Sequence, residues 1–319
     1  MRRGRASAAA ALLLIAGLSG VANVGSAGFA QTTTTTGEKP KIEAKYDVDR
    51  IGDRGIGSGL NLYSLEREMA LGRELARETE EYSRLVGDPV ITAYVNRIGQ
   101  KLAMHSDARM PFTIRVIDDE QVNAFALPGG FLYVNTGLIL AAGNEAQLAG
   151  VMAHEIAHVA ARHGTKAGTR AQIWSLASVP LVFFGGGAMY AIRSAADIIV
   201  PMSFLKFSRS AEREADLLGL EYAYASGYDP AEFVQFFEKL NAQDKKKKHS
   251  FIARAFATHP MTGDRIKAAQ GEIAVYLRPK EDYVVDTSDF AEVQERLLEQ
   301  SNSRKIQAKR GTNLTLRRK

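Results

Sequence analysis

The strongest constraint on the fold is a pair of histidines four residues apart in a segment with a clear helix start. Asn144, with Gln147 three residues later, is typical of a helix N-terminus, and the alanine-rich stretch Asn144–His163 predicts a helix. Residues four apart lie on one face of a helix, so the rings of His154 and His158 can reach one cation. Two imidazoles do not complete such a site, so another segment must supply a further ligand.

Glu155 lies beside this pair but cannot easily be a ligand together with both histidines. It is placed to take a proton from a water that the cation activates. A catalytic zinc site has three protein ligands and an open position. The metzincin pattern would need glycine at 161 and histidine at 164, whereas the chain has Ala161 and Gly164. Because the chain has no cysteine, the third ligand is expected to be His, Asp or Glu.

A second segment, residues 208–216, supplies candidate carboxylates in the order Ser-Arg-Ser-Ala-Glu-Arg-Glu-Ala-Asp. Glu212 and Asp216 are again four apart, so Glu212 is a candidate ligand and Asp216 a candidate acceptor for a ligand histidine's second N–H. The competing interpretation is an ordinary amphipathic helix whose acids face water. The histidine pair favours the metal interpretation.

Residues 1–30 resemble an export signal. Three arginines precede a short apolar run, which ends in small residues at the expected cleavage site after Ala30, with Ala27 as the alternative. An uncleaved amino-terminal anchor is the competing interpretation. The threonine-rich, polar stretch 31–50 is predicted to be a linker. These features indicate a periplasmic or cell-envelope protein.

The charge of the chain is unevenly distributed. The formal net charge of the chain is +5. The three leader arginines and the seven basic residues of 304–319 together carry more positive charge than this, so the body between them has a net negative charge. Because no aromatic residues are interleaved with the basic tail, a nucleic-acid platform is not expected. Residues 281–319 are predicted to be a helix followed by a solvated, disordered basic tail.

The remaining pattern predicts the class α+β, mainly helical with one small sheet. Helices are expected at Ser64–Val86, after Asp88-Pro89, and at about 209–225, 230–241 and 263–275, with strands at 112–117 and 125–134. The uncharged stretch 171–192 contains Pro180 and three glycines. We expect it to form a buried or interfacial helical hairpin; a membrane span is the alternative.

Four motifs in order resemble metallopeptidase family 48, whose members include CAAX prenyl proteases, the heat-shock protease HtpX, and Oma-type and periplasmic BepA-type proteases. The similarity extends over about Tyr63–Val275. It rests on Asn-Ala-Phe-Ala-Leu-Pro-Gly-Gly at 123–130, His-Glu-Ile-Ala-His-Val at 154–159, the acidic segment 208–216, and Thr-His-Pro at 258–260 with Arg265. Carboxy-terminal repeats like those of the BepA type are not found in the sequence.

This resemblance implies a gluzincin-type zincin domain over 51–280, with the small sheet beside the histidine helix and an apolar helical insert at 171–207. It implies one Zn²⁺ per subunit and an active-site edge strand that pairs with an extended substrate. The insert falls where relatives contact membranes, so peripheral membrane contact is an expectation. The implied residues are His154, His158 and Glu212 as ligands, Glu155 as general base, Asp216 as their outer partner, His259 and Arg265 as catalytic, and Asn123, Ala124, Phe125 and Ala126 as substrate-binding.

The function that follows is hydrolysis of peptide bonds in unfolded or misassembled envelope proteins, as part of protein quality control. An envelope chaperone or scaffold that uses the protease fold for binding is the alternative from another class. An aminopeptidase is disfavoured, because the Gly-Ala-Met-Tyr stretch at 187–190 lacks the glutamate that grips a substrate amine and lies on the wrong side of the histidine helix.

Overall fold

The computed structural model describes residues 44–182, 207–246, 259 and 262–316, and the side chains of 45–173, 207–242, 259 and 262–303. The predicted leader at 1–30, most of the predicted linker and residues 183–206 of the predicted insert lie outside this description. Over the described part, the fold is mainly helical with a small mixed sheet, as the sequence predicts.

Nine α-helices are described. The predicted start at Asp88 is confirmed, because its side chain accepts hydrogen bonds from the N–H groups of Val90 and Ile91. Ser64 caps the first helix in the same way by accepting from the Arg67 N–H. The helices are α1 (Leu65–Tyr82), α2 (Pro89–Met104), α3 (Thr136–Ala141), α4 (Glu145–Ala160), α5 (His163–Val182), α6 (Arg209–Ala225), α7 (Ala231–Lys246), α8 (Gly263–Tyr276) and α9 (Ser288–Leu316).

The sheet has three strands, β1 (Thr113–Ile117), β2 (Ala124–Leu127) and β3 (Phe131–Asn135). Its order is β1-β3-β2, with β1 parallel and β2 antiparallel to β3. The tight connection between β2 and β3 uses Gly129 and Gly130, both at positive φ. A side chain at Gly130 would lie 2.2 Å from the carbonyl oxygen of Pro111, so this turn tolerates glycine alone. Because the order is β1-β3-β2, strand β2 is an edge of the described sheet.

Helix α4 is the centre of the core, and all of its residues are buried. The side chain of Asn144 accepts a hydrogen bond from the Gln147 N–H at 2.9 Å, as the helix start predicts. The predicted helix through His163 is instead two helices: α4 ends at Ala160, Arg162 takes φ 57°, and α5 begins at His163.

Helix α6 packs on α4 at very short range. A β-carbon at Gly219 would lie 2.9 Å from the Cα of His154, so the absence of a side chain at this position sets the helix separation. This close approach brings the acidic residues at the start of α6 to the histidine face of α4. The carboxyl-terminal helix α9 contributes buried Phe290, Val293 and Leu297 to the core.

No helix of the described residues is long and apolar enough to cross a membrane. Helix α5 extends to Val182, within the segment predicted to form a hairpin. The backbone of α9 is helical through Leu316, into the stretch for which a disordered tail was predicted.

Candidate metal centre

Four buried side chains converge between α4, α6 and the segment before α8. His154 and His158 lie one turn apart on α4, Glu212 comes from the first turn of α6, and His259 precedes α8. One nitrogen or oxygen atom from each lies within 4.8 Å of the corresponding atoms of the others. The structure therefore brings together the three predicted ligands and places the predicted catalytic residue His259 beside them.

The distances within this group are those of a shared site. The Nε2 atoms of His154 and His158 are 3.1 Å apart. Each of these atoms lies 3.7 Å from one carboxylate oxygen of Glu212. His259 contacts Glu212 through its Nδ1, 2.8 Å from Oε1. Glu155 lies beside this group, next to His259.

Glu155 faces His259 across a gap. Its Oε2 accepts a hydrogen bond from the backbone N–H of Ala126 at 3.2 Å. Its Oε1 lies 3.9 Å from Nε2 of His259, too far for a hydrogen bond, and neither atom has another partner among the described residues. Burial raises the pKa of Glu155. One oxygen is thus fixed by the sheet edge, and the other is directed at the gap.

Asp216 and Arg265 form the outer layer of the site. Asp216 Oδ1 lies 3.2 Å from Nδ1 of His154, the ring nitrogen that faces away from the centre. Arg265 donates to both oxygens of Asp216, at 2.6 and 2.7 Å, and lies 2.8 Å from Oε2 of Glu212. The guanidinium therefore holds two acids of α6 in place.

Burial and the charges of neighbouring side chains shift the pKa values of the residues in this group. Burial alone would raise the pKa of Glu212, but the hydrogen bond from His259 and the positive charges around it lower that pKa. Burial would likewise lower the pKa of His259, and the carboxylates of Glu155 and Glu212 outweigh it and raise that pKa. Burial lowers the pKa of His158 far below the ordinary range. Neutral imidazole and ionised carboxylate are the forms that bind metals.

The four predicted substrate-binding residues lie at and just before strand β2. Ala124 and Ala126 are buried, and Ala126 is the residue whose N–H contacts Glu155. The ring of Phe125 stacks on Tyr133 of β3, with centroids 5.1 Å apart, so this side chain packs within the sheet. The carbonyl of Asn123 accepts a hydrogen bond from the Asn135 N–H. The strand thus runs beside the proposed general base.

Three neighbours of the site were not predicted. The ring of Phe207 stacks on His158 with centroids 4.1 Å apart. His163 contacts Nδ1 of His158 on its outer side and also contacts Glu214. The only sequence signals were a third histidine five residues after His158 and a third acid between Glu212 and Asp216, and neither spacing follows one face of a single helix.

The donors fit a divalent metal ion. Two ligands at 2.0–2.1 Å from a tetrahedral zinc lie about 3.3–3.4 Å apart, close to the 3.1 Å between the two histidine Nε2 atoms. Two imidazoles and a carboxylate form a ligand set common to catalytic zinc sites. Glu155 and His259 each also have a buried polar atom without a partner among the described residues, as expected where a water or substrate group would bind.

Comparison with known protein families identifies the family of the segment that carries these residues. The model of peptidase family M48 matches residues 89–273, which carry both α4 and α6. The chain belongs to peptidase family M48. The match contains His154, His158, Glu212 and His259, so every residue of the convergent group lies within the M48 segment.

Individual relatives of this M48 chain are longer bacterial and mitochondrial proteins. The chain is 31% identical to the beta-barrel assembly-enhancing protease of Escherichia coli (strain K12) over 268 residues, which cover 80% of this chain and 53% of the relative. It is 31% identical to the Yersinia pestis protein of the same name over 70% of this chain and 47% of the relative. It is 32% identical to the mitochondrial metalloendopeptidase OMA1 of Schizosaccharomyces pombe over 65% of this chain and 61% of the relative. The chain spans about half the length of these bacterial relatives.

Proposed function

We propose that this M48 chain is a zinc-dependent endopeptidase of the cell envelope. The observation that carries the proposal is the buried group of His154, His158 and Glu212, with one oxygen of Glu155 directed into the gap beside it. A bound zinc ion would polarise the attacking water and the substrate carbonyl. The protein supplies the ligands, the base and a strand that borders them.

Glu155 is the proposed general base. Its Oε2 is held by the Ala126 N–H, so Oε1 is the oxygen that takes the proton from the attacking water and later delivers it to the leaving amine. His259 Nε2 faces the same gap and is the donor best placed to stabilise negative charge on the substrate oxygen. Because Arg265 contacts Asp216 and Glu212 instead, we assign it a positioning role.

The substrate is proposed to be an extended segment of a protein chain. Strand β2 is an edge of the described sheet and runs past Glu155, and an edge strand binds a peptide through main-chain hydrogen bonds whatever its sequence. The export-type leader at 1–30 and the name of the bacterial relatives support unfolded or misassembled envelope proteins as the source of that segment. Peripheral membrane contact through 171–207 remains a prediction.

Replacing Glu155 by glutamine tests the mechanism. The Glu155→Gln protein is expected to bind one zinc ion like the wild type and to cleave an unfolded protein substrate about 10²–10⁴-fold more slowly, because only the proton acceptor is lost. Zinc content is measured by mass spectrometry of the metal, and cleavage by the appearance of fragments. Undiminished cleavage by the zinc-loaded variant would remove Glu155 from the reaction.

The chaperone alternative gives a different result in the same assay. Wild-type protein that holds an unfolded substrate without producing fragments, equally with and without a chelator, would favour a binding function. Chelator-sensitive cleavage within the substrate chain supports the endopeptidase.

A further inference from the structure

We propose that His163 and Glu214 are positioning residues that orient the ligand histidine His158 and thereby set the affinity of the centre for its metal. This inference rests on the proposed function, because it concerns the same zinc centre. It adds an outer layer on the side of His158 opposite the metal, which neither the motif spacing nor the family match assigns.

The contacts form a continuous chain of hydrogen-bonding groups. Nδ1 of His163 lies 2.9 Å from Nδ1 of His158. Nε2 of His163 lies 3.2 Å from Oε2 of Glu214. The second oxygen of Glu214 is 2.9 Å from Nζ of Lys45. The imidazole of His163 is buried, so bulk water does not replace these partners.

Metal binding leaves only one arrangement of protons along this chain. When Nε2 of His158 binds the metal, the proton of its neutral ring is on Nδ1. That N–H then donates to Nδ1 of His163, whose own proton must be on Nε2. The Nε2–H group of His163 in turn donates to the carboxylate of Glu214. Each group has the partner it needs.

The second ligand histidine is supported in a parallel way. His154 Nδ1 faces the carboxylate of Asp216 directly, at 3.2 Å. His158 Nδ1 faces the carboxylate of Glu214 through the ring of His163. Both carboxylates come from α6, which also provides the ligand Glu212. A metal-bound histidine that donates its second N–H to such a partner is held in one tautomer and one orientation.

The backbone between α4 and α5 places His163 for this contact. Arg162 takes φ 57°, a conformation that residues other than glycine rarely adopt. Its side chain is held there by Glu68, which accepts from Nε at 2.6 Å, and by the carbonyl of Tyr63, which accepts from Nη2 at 2.6 Å. The turn brings His163 back to His158, five residues earlier. A strained residue held by two partners, beside a ligand, indicates a functional constraint on the turn.

Zinc affinity of the full-length holoprotein, measured by competition with a chromogenic chelator, tests the inference without relying on proteolysis. His163→Leu removes the acceptor and is expected to weaken zinc binding about 10–100-fold. His163→Gln keeps an acceptor oxygen and is expected to recover part of that loss. His105→Gln, at an exposed histidine, is the matched control and is expected to leave the affinity unchanged.

Glu214 acts through His163, so the two substitutions are expected to be non-additive. Glu214→Gln is expected to weaken zinc binding several-fold in the wild-type background and not at all beside His163→Leu. Glu74→Gln, at an exposed acid of α1, is the control for the loss of one charge. Nitrogen-detected NMR of the zinc-loaded wild type is expected to show the His163 proton on Nε2.

The possible outcomes separate this inference from the proposed function. Wild-type zinc binding together with unchanged affinity in His163→Leu, or with a His163 proton on Nδ1, would overturn the positioning role and leave the zinc centre intact. A lower melting temperature of His163→Leu with unchanged zinc affinity would show a packing role only and overturn it as well. A wild-type protein that binds no zinc would overturn the proposed function and this inference together.

Discussion

At the scale of single residues, the metal centre depends on which atom of each side chain already has a polar neighbour within the protein. Glu155 has one oxygen fixed by the Ala126 N–H and one without a partner among the described residues. His154 has one nitrogen toward Glu212 and one toward Asp216. This division leaves the chemically active atom of each residue facing the same gap, while the other atom sets its orientation.

Asp216→Asn is expected to weaken both the metal site and the fold. The substitution removes the charge that pairs with buried Arg265 and the acceptor that orients His154. Breaking a buried ion pair costs about 3–5 kcal/mol, and the loss of an outer partner weakens metal binding about 10–100-fold.

Urea unfolding and zinc competition measure the two effects of Asp216→Asn. The control is Asp264→Asn in the first turn of α8, where the carboxylate is exposed. This control is expected to change the free energy of unfolding by no more than about 0.5 kcal/mol. A similarly small change for Asp216→Asn would contradict the positioning role of its carboxylate.

At the scale of elements, the site exists because α4 and α6 lie unusually close together. Gly219→Ala is expected to destabilise the protein by more than about 2 kcal/mol and to reduce zinc affinity, because the new methyl group would lie 2.9 Å from the Cα and 3.0 Å from the backbone N of His154. The clash is with backbone atoms, so the helices must separate to relieve it.

Gly271→Ala in α8 is the matched control for this prediction. Nothing lies within 4 Å of the position that its β-carbon would take. Alanine is favoured over glycine inside a helix by about 0.8–1.0 kcal/mol, so this substitution is expected to stabilise the protein. Measurement of both variants by chemical unfolding separates helix propensity from helix packing. Equal effects of the two substitutions would argue against close packing at Gly219.

Helix α8 also contains an acid that makes stability depend on pH. Burial, with the nearby charges of Asp216 and Glu221, raises the pKa of Glu272 from 4.5 to about 7. The folded protein therefore holds this proton more tightly than the unfolded chain does. The resulting stabilisation is fully present below pH 4.5 and is lost as the pH rises through about 7.

Glu272→Gln removes this dependence. The variant is expected to be more stable than the wild type at pH 8 by up to about 3 kcal/mol, reduced by solvent screening of a partly exposed group, and to show a flatter stability profile between pH 5 and 8. Urea unfolding at several pH values provides the comparison. A parallel shift of the whole profile, without flattening, would assign the pH dependence to other groups.

At the scale of the whole molecule, the proposed zinc ligands come from separate helices, and only the folded state brings them together. A chelator is therefore expected to lower the melting temperature. Zinc at 100 times its Kd contributes about 2.7 kcal/mol. That corresponds to about 5–11 °C for a domain of this size.

Scanning calorimetry with and without a chelator measures this shift. Glu155→Gln is expected to show the full shift, because Glu155 is not a ligand in the proposed site. The double variant His154→Ala/His158→Ala is expected to show none. A shift that persists in the double variant would place the stabilising metal elsewhere.

The sequence by itself predicted the elements that have strong local signals. The predicted helix starts at Asp88 and Asn144 depend on hydrogen bonds within one turn, and the structure contains both caps. The spacing of His154 and His158 likewise depends only on helix geometry. The mainly helical α+β class and the M48 relationship followed from the order of these local motifs.

Only the tertiary structure showed how the segments meet. The helix is interrupted at Arg162 despite a good helical pattern, and Glu68, 94 residues earlier, holds the guanidinium of Arg162. The contacts of His163 with His158 and Glu214, and of Arg54 with Asp107 and Glu221, join residues that share no periodicity in sequence. Sequence patterns reflect the hydrogen bonds and the side-chain faces within a single helix or strand. Partners that pack from distant elements leave no such pattern. The i,i+4 spacing indicated Asp216 as an acceptor for a ligand histidine, whereas His163 and Glu214 beside His158 became visible only in the folded structure.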